Sequence, residues 1–128
     1  MKKIINTTNA PSPVGPYNQS VLAGNMLFIS GQIAIDPSSG DLVLGDIETE
    51  THQVMRNLDN ILKEAGLSFE DVVKCSVFVT DMNLYSRINA VYAEYFKEDT
   101  APARELVEVA NLPKFVNIEI SAIALKDS

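Results

Sequence analysis

Arg104 is the residue best suited to hold an anion. It follows Thr100-Ala101-Pro102-Ala103, where small residues and a proline leave room at the start of an extended segment. A guanidinium keeps its charge and grips a carboxylate through two parallel hydrogen bonds. The plainer reading is an inter-strand or inter-subunit ion pair. Glu119, flanked by Ile118 and Ile120, is the acid–base candidate. At a subunit seam its carboxyl would lose solvent and its pKa would rise toward a useful range; the plainer reading is a cross-strand partner for an Arg or Lys. Ser30-Gly31-Gln32 ends an apolar strand. The glycine either lets a ligand approach the backbone or marks a simple bulge. Tyr17, after Gly15-Pro16, offers a phenol at the end of a stiff segment, or simply packs its ring.

Other chemistry is poorly supplied. The single His52 reads as a solvated helix residue on the side away from Val54 and Leu58, and the single Cys75 as an inert core thiol. With one cysteine there is no intramolecular disulfide and no multi-cysteine metal site, and the expected compartment is a reducing cytoplasm. No phosphate loop, dinucleotide fingerprint or Gly-x-Ser-x-Gly elbow occurs. The net charge of -7 argues against nucleic-acid and anionic-membrane partners. No apolar run is long enough to span a bilayer, and the lysines at positions 2 and 3 precede no signal-like stretch.

The elements that must position these residues follow from period. The 128 residues, 46% hydrophobic, are expected to form one domain over 1–128. Val54, Leu58, Ile61, Leu62 and Ala65 make one stripe of a helix over Glu48–Ala65, closed by Gly66. Leu84, Ile88, Val91, Tyr92, Tyr95 and Phe96 predict a second over Asn83–Lys97, with Asp81 or Asn83 as cap. Strands are expected over Met26–Ser30, Val72–Thr80, Arg104–Ala110 and Val116–Ala124. Asp36-Pro37-Ser38-Ser39-Gly40-Asp41 predicts a hairpin joining Phe28–Ile35 to Leu42–Leu44. The order implies an α+β fold: one mixed β-sheet with two α-helices packed on one face. The other face, expected to carry Phe78, Leu106 and Ile123 among polar residues, implies a homo-oligomer packed through it.

Nearly the whole chain resembles the RidA (YjgF-type) family of reactive-intermediate deaminases. The resemblance rests on Gly15-Pro16-Tyr17, Phe28-Ile29-Ser30-Gly31-Gln32, Pro102-Ala103-Arg104, Leu112-Pro113-Lys114 and Ile118-Glu119-Ile120 in combination. It implies a chorismate-mutase-like subunit in a homotrimer with a central β-barrel, with clefts between subunits. The implied reaction is hydrolysis of 2-imino acids and 2-aminoacrylate-type enamines to 2-oxo acids and ammonia, without a cofactor or metal. The implied roles are Arg104 on the substrate carboxylate, Glu119 on the attacking water and Tyr17 hydrogen-bonding at the cleft, with Ser30, Gly31 and Asn89 lining it. Leu106 departs from the small residue or cysteine of many members and is expected to narrow and dry the cleft. The loop over Glu98-Asp99-Thr100-Ala101 looks shorter than in some members, which bears on how Arg104 is presented.

Overall fold

A computed structural model describes residues 1–127 of the chain. Helix α1 spans Ile47–Glu64 and is capped by Asp46, whose side chain accepts from the Thr49 N–H at 2.7 Å. Acidic residues in its first turn and Lys63 in its last suit the helix dipole. Gly66, at φ +76°, lets the chain leave the helix through the left-handed region. Val54, Leu58, Ile61 and Leu62 are all buried, as the period predicts.

Helix α2 is shorter than its stripe suggests, covering only Tyr85–Tyr92 after a 3-10 turn at Met82–Leu84 capped by Asp81. Beyond Tyr92, the N–H groups of Glu94 and Tyr95 bond three residues back, to Val91 and Tyr92. This tighter turn unwinds the helix. Tyr95 and Phe96 then fold onto Phe69, with ring centroids 5.3 and 5.2 Å away.

The sheet has six strands: β1 (Lys2–Ile5), β2 (Ser20–Ala23), β3 (Met26–Gln32), β4 (Val72–Val79), β5 (Ala103–Glu108) and β6 (Ile118–Leu125). Their order is β1-β2-β3-β6-β4-β5, with every pair antiparallel except β4–β5. The expectation of an α+β mixed sheet with two helices holds, and β1 and β2 are additions to it. The expected hairpin shrinks to one bridge, Ile35 to Leu42. Across that bridge the Asp36 N–H donates to the Asp41 carbonyl and the Val43 N–H to the Ala34 carbonyl, while the buried Asn57 amide donates to the carbonyls of Ile33 and Ile35, at 3.1 and 3.0 Å.

Leu27, Ile29, Cys75, Val77, Val79, Ile118, Ile120, Ala122 and Ala124 form the helix-covered face and the core. The placing of Leu106 on the open face is corrected. Parallel pairing sets Arg104 beside Cys75, Leu106 beside Val77 and Val107 beside Phe78. Leu106 therefore packs against the core, and Val107 joins Phe28, Phe78 and Ile123 on the open face. No helix among the described residues is long and apolar enough to cross a membrane.

Candidate active site

Glu119 lies on the open face of β6, opposite Phe78. Its neighbour on the other side is β3, where the register slips between Ile29 and Gln32. Gly31 sits in that slip. A side-chain carbon at position 31 would overlap Oε2 of Glu119 and lie 2.7 Å from its Cδ. The glycine thus makes room for the carboxyl itself, a tighter demand than backbone access for a ligand.

A cleft of about 210 Å³ opens beside this pair, walled by Pro11, Tyr17, Ile35, Pro113 and Lys114. Buried Gln19 builds the near wall. Its side-chain amide donates to the carbonyls of Thr7, Ala10 and Pro11, and its Oε1 accepts from the Thr7 N–H. Backbone without regular structure is thereby satisfied. Sequence reasoning missed Gln19; its position just after the proline cluster is the only signal. Lys114, on the far wall, and the following Phe115 both lie in the left-handed region, at φ 54° and 56°, a strained pair for residues with side chains.

Among the described residues, Glu119 has no hydrogen-bond or ion-pair partner. Burial pushes its pKa above the ordinary 4.5. Tyr17 lines the cleft, and its hydroxyl accepts a long hydrogen bond, 3.4 Å, from the Val14 N–H. The Ser30 hydroxyl is turned back to the Asn18 carbonyl at 2.7 Å, so it ties β3 to the segment before β2 instead of facing the cleft.

Arg104 belongs to a second cleft, at the β5 edge of the sheet and on the helix side. Its Nη1 donates to Asn89 Oδ1 at 2.9 Å and its Nη2 to the Tyr85 hydroxyl at 3.3 Å, both on α2. The guanidinium lies over the Tyr92 ring, 4.7 Å from its centroid. No ion pair joins Arg104 to a carboxylate among the described residues, so an inter-strand pair within the chain is not what the fold supplies. Its charge is oriented by neutral groups and left unneutralised. The buried Tyr92 hydroxyl has no hydrogen-bond partner; the Cys75 thiol lies beside it, and burial pushes the pKa of both groups up.

The fold thus brings Tyr17 and Gly31 to Glu119, and Asn89 to Arg104. It does not bring Arg104 to Glu119: β4 separates their strands, and they face opposite sides of the sheet. Leu106 lines neither cleft. His52 is not simply solvated, since Nδ1 lies 2.7 Å from the Tyr95 hydroxyl and Nε2 lies 3.7 Å from Glu94.

Residues 7–126 match the protein family described as endoribonuclease L-PSP. A RutC family protein of Pyrococcus horikoshii is 55% identical over 127 residues, which are 99% of this chain and 100% of that protein. The human protein named 2-iminobutanoate/2-iminopropanoate deaminase is 44% identical over 126 residues, covering 98% of this chain and 91% of its own length. Among solved structures, E. coli TdcF with bound serine has a TM-score of 0.91 and 43% identity, covering 98% of this chain and 99% of that one.

Proposed function

The chain belongs to the endoribonuclease L-PSP family, the family of the YjgF/RidA proteins, and from that premise we propose that it hydrolyses reactive 2-imino acids, with their 2-aminoacrylate-type enamine tautomers, to 2-oxo acids and ammonia. The observation that carries this reading is Arg104: a guanidinium aimed by Asn89, Tyr85 and Tyr92 and paired with no carboxylate. Such a group is free to take a carboxylate from outside. Charged hydrogen bonding of that kind is worth about 1.5–3 kcal/mol.

The chemistry needs little else. Water adds to the imine carbon, a proton moves from the water oxygen to nitrogen, and the carbinolamine collapses to the 2-oxo acid as ammonia leaves. Glu119, desolvated and unpartnered, takes the water proton and returns it to the leaving nitrogen, a role typically worth about 10²–10⁴-fold. Tyr17 borders the same cleft and orients water or substrate. The carboxylate handle holds the imine beside that water, and such positioning supplies a large further share of the acceleration.

Arg104 and Glu119 cannot serve one substrate within one chain, so the site forms between subunits. The open face supports this reading. Phe28 and Val107 are each about two-fifths exposed there, beside Phe78 and Ile123. An apolar sheet face of this kind is covered in a stable soluble protein. The assembly is a homotrimer whose sheets line a central barrel and whose clefts pair Arg104 of one copy with Glu119 of the next. The setting is the cytoplasm, and the partners are small imino acids.

The test couples the protein to a pyridoxal-phosphate dehydratase that releases the imine and follows 2-oxo acid formation. Arg104→Ala, folded and of wild-type oligomeric state, loses at least about 10²-fold in kcat/KM. Wild-type kcat/KM in that variant overturns the assignment. RNA cleavage that survives Arg104→Ala would instead favour a nuclease, which the net charge of -7 disfavours.

A further inference from the structure

Helix α1 carries a fully buried acid that the proposed chemistry does not use. Glu50 is 0% exposed. Its Oε2 accepts from the Asn117 backbone N–H and its Oε1 from Asn117 Nδ2, both at 2.8 Å. No ion pair joins it to a cation among the described residues. A buried carboxylate without a cation is costly unless its oxygens are hydrogen-bonded, and here each oxygen has a bond to the same residue.

Asn117 immediately precedes β6, which begins at Ile118 and carries Glu119. Its carbonyl accepts from the Thr80 N–H at 3.2 Å, so its main chain is held on both sides and its side chain on a third. Just upstream lies the strained pair Lys114–Phe115, of which Lys114 lines the Glu119 cleft beside Pro113. Two consecutive left-handed residues lower their energy by relaxing toward other backbone regions. A relaxation of that loop would pull on the start of β6. The Glu50 clasp stands between the strained loop and the acid.

We infer that Glu50 is a positioning residue for Glu119, holding the start of β6 against the helix so that the carboxyl stays in its part-buried seat against Gly31. The inference rests on the hydrolytic reading above for its kinetic consequence, but not for its structural one. Placement to within a fraction of an ångström governs proton transfer and attack, whereas carboxylate capture by Arg104 lies elsewhere. Loss of the clasp therefore lowers kcat and spares KM.

The experiment compares Glu50→Met with Glu50→Gln. Methionine fills the space but accepts no hydrogen bond. Glutamine keeps an acceptor for the Asn117 N–H and can donate to an Asn117 amide turned about. Two readouts are taken: steady-state imine hydrolysis, and the titration of the Glu119 carboxyl followed by carbon NMR, with Tyr17 and Lys114 as the other titrating groups of that cleft. Glu50→Met is expected to lower kcat about tenfold with KM within about twofold, and to bring the Glu119 titration back toward the ordinary carboxylate range. Glu50→Gln is expected to restore both. Folded Glu50→Met with wild-type kcat and an unmoved titration overturns the inference, as does Glu50→Gln behaving like Glu50→Met. Where Glu50→Met does not fold, Asn117→Ala serves, with about a threefold loss of kcat expected and wild-type kcat overturning. Full activity in Glu119→Gln sinks the hydrolytic reading alone, and the titration still decides the role of Glu50.

Discussion

Glu119 sits in a walled cleft with no partner for its carboxyl, whereas Arg104 stands at the sheet edge with an amide, a phenol and an aromatic face set against it. In the proposed reaction the two groups answer different needs. An acid–base group must titrate at a useful pH, and withholding solvent and partners moves its pKa. A guanidinium stays charged in any setting, so the protein need only aim it. Neutral props aim it without using up the charge. Each half is incomplete, and opposite faces of one sheet carry them.

The largest effect breaks or secures the pairing of halves across subunits. Arg104→Ala and Glu119→Gln are each expected to lose about 10²-fold or more in kcat/KM. Refolded together, they form mixed assemblies in which some clefts combine an intact Arg104 with an intact Glu119. Random mixing in a ring returns about a quarter of wild-type activity. A mixture no more active than its components would mean that the two groups do not share a cleft.

Gly31→Ala tests the carboxyl's seat. The added carbon overlaps Glu119 Oε2, so the carboxyl must turn out of the cleft or β3 must shift. The expected loss in kcat is about 10²-fold, with the oligomer intact. A crystal structure of the variant with Glu119 unmoved would show the seat to be tolerant after all.

The two regions also differed in how legible they were. Helix α1 could be read because its apolar stripe follows one period to Gly66. Helix α2 could not be bounded, since Tyr95 and Phe96 continue the period while packing on Phe69 in a turn. β1 and β2 are too short, at four residues each, for period to register. Alternation along β5 correctly put Arg104 and Leu106 on one face, but only the parallel register with β4 says which face that is. Arg104 and Glu119 stood out by residue type and flanks. The buried polar side chains that hold irregular backbone did not: Gln19, Glu50 and Asn57 bond to backbone groups outside regular structure, and such partners leave no spacing in the sequence.

A smaller effect sharpens the account of Arg104. If the Tyr92 face aims the guanidinium, Tyr92→Phe keeps the platform and removes a hydroxyl that has no partner. KM should stay within about twofold. Tyr92→Leu removes the ring and about 0.5–2 kcal/mol of cation–π attraction, raising KM by about 2- to 30-fold with kcat less affected. Equal KM values in the two variants would assign the aiming to Asn89 and Tyr85 alone.

The smallest effect is on stability, and its sign is opposite to that on activity. Burial raises the Glu119 pKa in the folded chain above the ordinary 4.5. Between those two values the folded state binds more protons than the unfolded, so stability falls as pH rises through the window. Above it, the folded chain carries the cost of an ionised, partly desolvated carboxyl. On the proposed mechanism activity runs the other way, since only the ionised form accepts the water proton. The acid limb of kcat/KM should therefore lie above the ordinary carboxylate range, over the same interval in which stability declines. Glu119→Gln should remove both slopes and stabilise the chain at pH 7 by under about 1 kcal/mol, because the group is still partly solvated. Chemical denaturation at pH 4 and pH 7 measures the second effect. An acid limb at or below the ordinary range would mean that the cleft does not dry the carboxyl, and would leave Arg104 as the only specialised half.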